Sequence, residues 1–295
     1  MRVPGPAPAD GRPWPWLIPA VAVLAAFYAV PVADVARLAF SDATLIRAPE
    51  RWTTDALRAL LREPALPGVL GTTIVFTAVN VLALQVLGLV IALTMIRGEA
   101  RGLRGMTAFR TLVLAAWVVP GIANGLIWQM LFDEAPYGTL NSILGFAGLG
   151  PVAWLSDPDM ALVSAVIANL WQGTAFSMIV FYAARKAIDP ILYEVAALDG
   201  ASPWRTFRSV TLPLMRTAIA VNTVLVTVQT LNTFDAILAL TGGGPGRATE
   251  VLALFTFNTV FLTLDLAGGS VLALVLLAVA MGLAALVHGW LGRPA

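Results

Sequence analysis

Six long uncharged stretches decide what this chain can fold into. A helix rises about 1.5 Å per residue, so crossing the ~30 Å hydrocarbon core of a bilayer takes about 20 apolar residues. The stretches that meet this test are Trp14 to Ala33, Gly68 to Ile96, Thr111 to Phe132, Met160 to Ala184, Thr217 to Phe234 and Leu266 to Val287. Backbone in lipid must satisfy its own hydrogen bonds, and nothing here alternates with a period of two as a barrel strand would. The expected fold class is therefore all-α integral membrane, with six transmembrane helices. A further uncharged run, Val251 to Leu264, is too short to cross and abuts Asp265. It predicts an interfacial or periplasmic helix packed on the bundle.

Composition agrees. Of 295 residues 59% are hydrophobic and 12% charged, about half the charge of a soluble protein. A net charge of +1 gives no reason to expect nucleic acid as a partner. With no cysteine, a disulfide framework and a thiolate metal site are excluded, and the single histidine, His288, leaves no metal centre or cofactor to expect. The first thirteen residues, Met1 to Pro13, are rich in proline and glycine and read as a disordered tail. The rest, 14–293, reads as one membrane domain. Trp14 and Trp16 sit where an interfacial aromatic anchor would.

Orientation follows from the basic residues. With the N-terminus inside, twelve of the eighteen Lys and Arg fall on the inner side, among them Arg97, Arg101, Arg104, Arg110, Arg185 and Lys186. The outer segment from Asp133 to Asp159 holds four acids and no base. Both termini are expected in the cytoplasm. The first outer loop, Ser41 to Pro67, predicts a small helix near Asp55 to Arg62, and Asp34 and Arg37, one turn apart, are placed to pair.

Between the fourth and fifth spans lies a charged island, 185–216. Asp189-Pro190 opens a short helix, with a capping carboxylate and a proline whose missing N–H is not needed there. Gly200 supplies a left-handed residue to end it. Ser202-Pro203 opens a second helix running toward Leu212-Pro213. Glu194, Ala196, Gly200, Val210, Leu212 and Pro213 match, in order and spacing, the EAA motif of ABC importer permeases. The fuller string from Tyr193 to Ser202 resembles the carbohydrate-uptake branch of that family. Val195 stands where the motif has its first alanine, and Pro190 sits one place later than usual.

This resemblance implies a type I importer permease of six transmembrane helices whose island is the coupling helix. Glu194, Ala196, Ala197, Asp199 and Gly200 would then meet a cytoplasmic ATPase. Glu194 would be the polar anchor, and Ala196, Ala197 and Gly200 would allow close approach. Trp204 and Phe207 would fix the second short helix on the bundle. The implied assembly adds a second permease subunit, two cytoplasmic ATPase subunits and an extracytoplasmic substrate-binding protein. The Thr241-Gly-Gly-Gly-Pro loop also resembles the branch. It lacks the Lys-Ser/Thr that a phosphate cradle needs, so it reads as a tight turn.

Polar residues inside spans are costly and tend to face the bundle interior or a wet cavity. Asn169, Gln172, Gly173 and Phe176 share one helix face, and Val226, Gln229, Thr230 and Thr233 repeat the spacing on the next span. Taken singly, such residues fit hydrogen bonding between helices. As two sets they fit a substrate pathway, offering amides, hydroxyls and an aromatic ring to a sugar. The resemblance places the same eight positions at the family's sugar contacts, although Val226, Gln229, Thr230 and Thr233 replace Ser, Phe, Asn and Asn. Asn124, Trp128 and Gln129 read as interhelical packing. Asp235 and Asp265, near the outer surface, would meet a binding protein or be solvated.

The reading is a non-enzymatic transport subunit carrying a sugar or neutral polyol by alternating access. The alternative is the same fold carrying a polyamine, phosphate ester or oxyanion. An ion-coupled carrier would want acids inside the spans, and a membrane enzyme a nucleophile with a base; the spans hold neither.

Overall fold

The computed structural model describes residues 14–135 and 137–291, so the expected tail of residues 1–13 lies outside the described residues. Among the described residues there are helices, turns and isolated bridges but no named strand. In chain order they are α1 (Trp14–Leu24), α2 (Val30–Ala39), α3 (Asp55–Leu61), α4 (Leu66–Ala100), α5 (Met106–Val118), α6 (Gly121–Leu131) and α7 (Thr139–Phe146). There follow α8 (Pro158–Lys186), α9 (Ile191–Leu198), α10 (Pro203–Thr206), α11 (Leu212–Leu231), α12 (Asp235–Thr241), α13 (Leu252–Phe261) and α14 (Leu266–Leu291). Five helical segments are long and apolar enough to cross a membrane, and the bent pair α5–α6 makes a sixth.

Two of the spans are interrupted by a π turn, each ending two residues before a proline. Ala25–Ala29 precedes Pro31 and joins α1 to α2; Phe207–Thr211 precedes Pro213 and joins α10 to α11. Proline has no N–H to give, and its ring clashes with the carbonyl four residues back. That residue is Phe27 in one case and Ser209 in the other, each inside its π turn. Widening the turn relieves the clash without ending the helix. The second helix of the island therefore does not stop at Leu212-Pro213. It continues from Pro203 to Leu231 as one membrane-crossing element.

The third span departs from expectation. Thr111 to Phe132 is not one straight helix: α5 and α6 meet at 105°. Pro120 disfavours helical geometry in the residue before it, and Val119 is extended (φ −67°, ψ 125°). Pro120 is extended as well, and its carbonyl then accepts from Asn124 N–H to start α6. Hydropathy counted the residues and ignored this break. The fifth span also ends earlier than expected on its far side, since α11 ends at Leu231 and Thr233 lies in the gap before α12.

Helix α8 is the central post, packed on α4, α5 and α11; α14 packs on α2, α11 and α13. Close approach depends on small residues, as it does where lipid removes the hydrophobic drive between helices. A Cβ on Gly88 of α4 would sit 2.4 Å from Ser177 Cβ on α8. A Cβ on Gly125 of α6 would sit 2.4 Å from the Ala236 carbonyl of α12. On the outer face of α4, Leu82, Val86 and Val90 form an exposed stripe suited to lipid. The short run after the glycine loop is not merely interfacial: Leu252, Ala253, Leu254 and Phe255 of α13 are buried in the bundle.

Asp34 and Arg37 pair at 3.5 Å as expected. In the loop after α2, the amides of Glu50 and Arg51 donate to Asp42 at 2.9 and 3.1 Å and hold its carboxyl below the usual carboxylate range. Burial pushes the Glu134 carboxyl up. Bonds from the Ser156 hydroxyl and from the Leu155 and Ser156 amides, at 2.6–2.7 Å, outweigh it and leave the group lowered.

Candidate functional site

The island folds as a hydrogen-bonded knob at one end of the bundle. Asp189 Oδ1 accepts from Ile191 N–H at 2.9 Å, but Pro190 itself is the N-cap and α9 starts at Ile191, one residue later than expected. At the other end Gly200 has φ +69°. Its N–H donates to the Ala197 carbonyl, and Ala201 N–H donates to the Ala196 carbonyl. Together these form a Schellman closure of α9. Ser202 is extended and its Oγ accepts from Arg205 N–H, so α10 starts at Pro203 as the sequence implied.

One side of α9 is fastened to the bundle. The Tyr193 hydroxyl shares a hydrogen bond with Thr211 Oγ1 at 3.1 Å, and the Arg185 guanidinium lies 3.6 Å from the centre of the Tyr193 ring. Ala196 is buried on this inner side. Glu194, Ala197, Asp199 and Gly200 are exposed on the other side, next to Val195 and Leu198. An acidic, glycine-ended tip ringed by bare apolar residues is what a docking helix presents. Trp204 packs at a tilt on Phe207 with ring centroids 5.6 Å apart, but it is itself 68% exposed and does not pin α10 to the bundle.

Beside the knob, Glu99 at the end of α4 joins α8 twice: Lys186 Nζ lies 2.9 Å from its carboxylate, and the Tyr182 hydroxyl donates to it at 2.8 Å. Arg110 of α5 sits over the Tyr182 ring. The ends of three spans are thereby tied together.

Deeper in the bundle, the two sets of polar residues have different fates. On α8, Asn169 donates to Asn80 Oδ1 of α4 at 2.8 Å. Gln172 donates to the Val119 carbonyl at 2.5 Å and accepts from Asn124 at 3.1 Å. Gly173 lies under Leu84, and Phe176 packs at a tilt on Trp117. These four therefore turn toward α4, α5 and α6. On α11, Val226 and Thr230 are buried, Gln229 is exposed, and Thr233 beyond the helix end donates to the Gln229 carbonyl.

What joins α8 to α11 is a different group. Asn222 donates to Ser177 at 3.0 Å and to Gln85 of α4 at 2.8 Å, while Gln85 donates in turn to Thr223 and to the Ile219 carbonyl. Asn80 and Gln85 were missed in sequence. The signal was present: two amides in the long apolar run of α4, each costly there unless paired.

Asn124 and Gln129 do bridge helices, donating to the Ala168 and Leu240 carbonyls. Asp235 is not simply solvated, since its carboxylate lies where a Cβ on Gly121 would be. Asp265 caps α14 by accepting from Gly268 N–H at 2.8 Å. The side chain of His288 lies outside the described residues. The glycine loop is a tight turn, with Gly242 and Gly243 left-handed and Thr249 donating to the Gly244 carbonyl at 2.9 Å. Among the described residues no three His, Cys, Asp or Glu side chains gather as for a metal ion.

The family described as "Binding-protein-dependent transport system inner membrane component" matches residues 86–293. The trehalose/maltose transport system permease protein of Thermococcus litoralis is 39% identical over 186 residues, 63% of this chain and 61% of that one. This chain thus spans about three fifths of that relative's length. The diacetylchitobiose uptake system permease protein of Streptomyces coelicolor is 31% identical, covering 83% of this chain and 76% of its own. A lactose transport system permease protein of Rhizobium radiobacter is 28% identical over 85% and 84%. In fold, the chain matches one in a crystal structure of a bacterial alginate ABC transporter, with TM-score 0.79 and 20% identity over 94% of this chain and 93% of that one. A type I bundle, the knob and a family match over most of the chain agree: this multi-pass membrane protein belongs to the binding-protein-dependent transport system inner membrane components.

Proposed function

We propose that this chain is one of two permease subunits of an ABC importer for a sugar or related neutral polyol. Its companions would be two cytoplasmic ATPase subunits and an extracytoplasmic substrate-binding protein, with the knob and both termini in the cytoplasm. The observation that carries the reading is the knob itself. It is fastened by Tyr193 to Thr211 and Arg185 on one side, and bare at Glu194, Asp199 and Leu198 on the other. A push on the bare side reaches α8 through Arg185 and α11 through Thr211. Those two helices frame the Asn222–Ser177–Gln85 network, so moving them together suits alternating access. The chain has no Walker A sequence, and ATP would be hydrolysed on the companion subunits.

The substrate class rests on charge and on relatives. From Met160 to Ala184 and from Thr217 to Leu231 there is no ionisable acid or base apart from Tyr182. A charged solute would want an opposite charge there. Relatives named for trehalose/maltose, lactose and diacetylchitobiose point the same way. We propose that the pathway follows the two faces that carry Asn169, Gln172, Gly173, Phe176, Val226, Gln229, Thr230 and Thr233, with Gln229 the exposed polar group among them and Gln172 holding the bend of the third span beside the path rather than contacting the solute.

The test is affinity purification of the tagged chain from membranes, then labelling of Asp199→Cys in this cysteine-free background, then uptake of a panel of labelled sugars. An ATPase that co-purifies, labelling from the cytoplasmic side only, and saturable uptake of one sugar are expected. Absence of a nucleotide-hydrolysing companion, or labelling from outside, would overturn the reading.

A further inference from the structure

We propose that the cleft beneath the knob holds the phosphate headgroup of an anionic phospholipid. The cleft has a volume of about 130 Å³ and lies between the end of α4, the end of α8, Tyr193 of α9, and α10 with the π turn that follows it. At about 30 Å³ per water, that is space for roughly four waters or one phosphate group with its ester oxygens. Its floor is apolar, made by Leu93, Ile96 and Phe207; its walls carry Arg97, Arg185 and Thr206.

Three observations favour an anion of this kind. First, the two guanidiniums have no carboxylate. Lys186, next to Arg185, is taken by Glu99, whereas Arg97 and Arg185 form no ion pair among the described residues. Arg185 sits over the Tyr193 ring, and its guanidinium N–H groups have no acceptor among the described residues, so they can donate to an anion.

Second, the cleft is on the membrane side of the knob. Tyr193 lines it, while its neighbour Glu194 is exposed on the far side. A macromolecule docking on the tip would therefore miss it. Third, the depth is right for a headgroup. Leu93, Ile96 and Arg97 share one face of α4 where the apolar run gives way to charge, so an ester phosphate at Arg97 would leave its glycerol and chains beside Leu93 and Ile96.

The experiment uses the full chain with whatever companions co-purify. It is placed in nanodiscs of zwitterionic phosphatidylcholine with a titrated fraction of phosphatidylglycerol, and retained lipid is read by native mass spectrometry. Arg97→Gln is the main variant, because an exposed side chain without a partner can be removed without unfolding the bundle. Arg208→Gln, also on the knob but outside the cleft, controls for net charge.

Phosphatidylglycerol should be retained by the parent protein and by Arg208→Gln, and held about five-fold more weakly by Arg97→Gln. Arg97→Lys should recover part of the loss. Equal retention by Arg97→Gln and Arg208→Gln would overturn the proposal. So would inorganic phosphate displacing the lipid or protecting the protein equally, which would mark a free-anion site. A third contrary result would be Arg97→Gln shedding the ATPase while keeping its lipid, which would give the cleft to a protein carboxylate.

Discussion

The side-chain amide of Gln172 donates to the carbonyl of Val119, the residue at which the third span turns through 105°. Pro120 has no N–H to give, and Gln172 supplies a donor at the break where the chain turns. Its own oxygen accepts from Asn124 across the same break. The central post α8 is thereby bonded to both halves of the bent span.

Replacing Gln172 with Leu should expose this. The Val119 carbonyl and one Asn124 N–H lose their partners inside the bundle, a cost of about 1–3 kcal/mol. A thermal unfolding midpoint several degrees below the parent's is expected in detergent or nanodiscs. An unchanged midpoint would mean that the bend needs no help from α8.

The α4–α8 crossing makes a second demand. A Cβ at Gly88 would lie 2.4 Å from Ser177 Cβ and 2.9 Å from Met178 N, neither of which can swing away cheaply. Gly88→Val should lower the midpoint by about 1–3 kcal/mol equivalent and disturb the Asn222–Ser177 bond alongside. Gly71→Ala, with nothing within 4 Å of the new Cβ, is the control and should be neutral.

Much of this was legible in the sequence because it is local. Span length, the turn at Asp189, the cap at Ser202 and the left-handed need at Gly200 are each set by a few adjacent residues. The break at Val119-Pro120 was equally local, but a count of uncharged residues does not register a proline. Gly121-x-x-x-Gly125 also announces a close helix crossing, though not that α12 would be the partner. What no spacing reveals is which amide meets which. Gln172 and Asn124 are 48 residues apart, and Asn222 and Gln85 137 apart. Their pairing is settled by how the helices are rotated, not by the face each presents in a helical projection.

The Asp42 loop gives a pH prediction. Its carboxyl is lowered by the Glu50 and Arg51 amides, so its stabilising effect is present above the unfolded value near pH ~3.9. That effect is lost as pH falls through the lower folded value. Amide exchange at Glu50 and Arg51, corrected for intrinsic rates, should be protected at pH 6 and lose protection well below pH 4. Asp42→Asn should show weak protection throughout. Protection that ignores both pH and the substitution would show that the loop is held by other bonds.

Gly200 tests the knob as a lever. No atom crowds its missing side chain, yet φ is +69°, where a β-branched residue costs at least about 1–2 kcal/mol. Gly200→Val should therefore unwind the Schellman closure and move the tip while the bundle still inserts. The expected result is ATP hydrolysis that no longer drives uptake, with normal amounts of protein in the membrane. Gly200→Asn, which tolerates the left-handed region, should retain most transport. Full transport by Gly200→Val would remove the knob from the coupling path.

Gln172 and Gln229 then separate packing from passage. Both are amides on assigned pathway faces, but Gln172 is bonded to two groups while the Gln229 side chain is exposed and without a partner among the described residues. If Gln229 offers its amide to a sugar hydroxyl, Gln229→Ala should leave the unfolding midpoint unchanged. It should also raise the half-saturating sugar concentration of uptake by roughly ten-fold, the equivalent of one or two neutral hydrogen bonds at about 1 kcal/mol each. Gln172→Leu should do the reverse, lowering the midpoint first and uptake only in proportion to the folded protein lost. Identical behaviour of the two variants in both assays would show that the exposed amide is not a substrate contact.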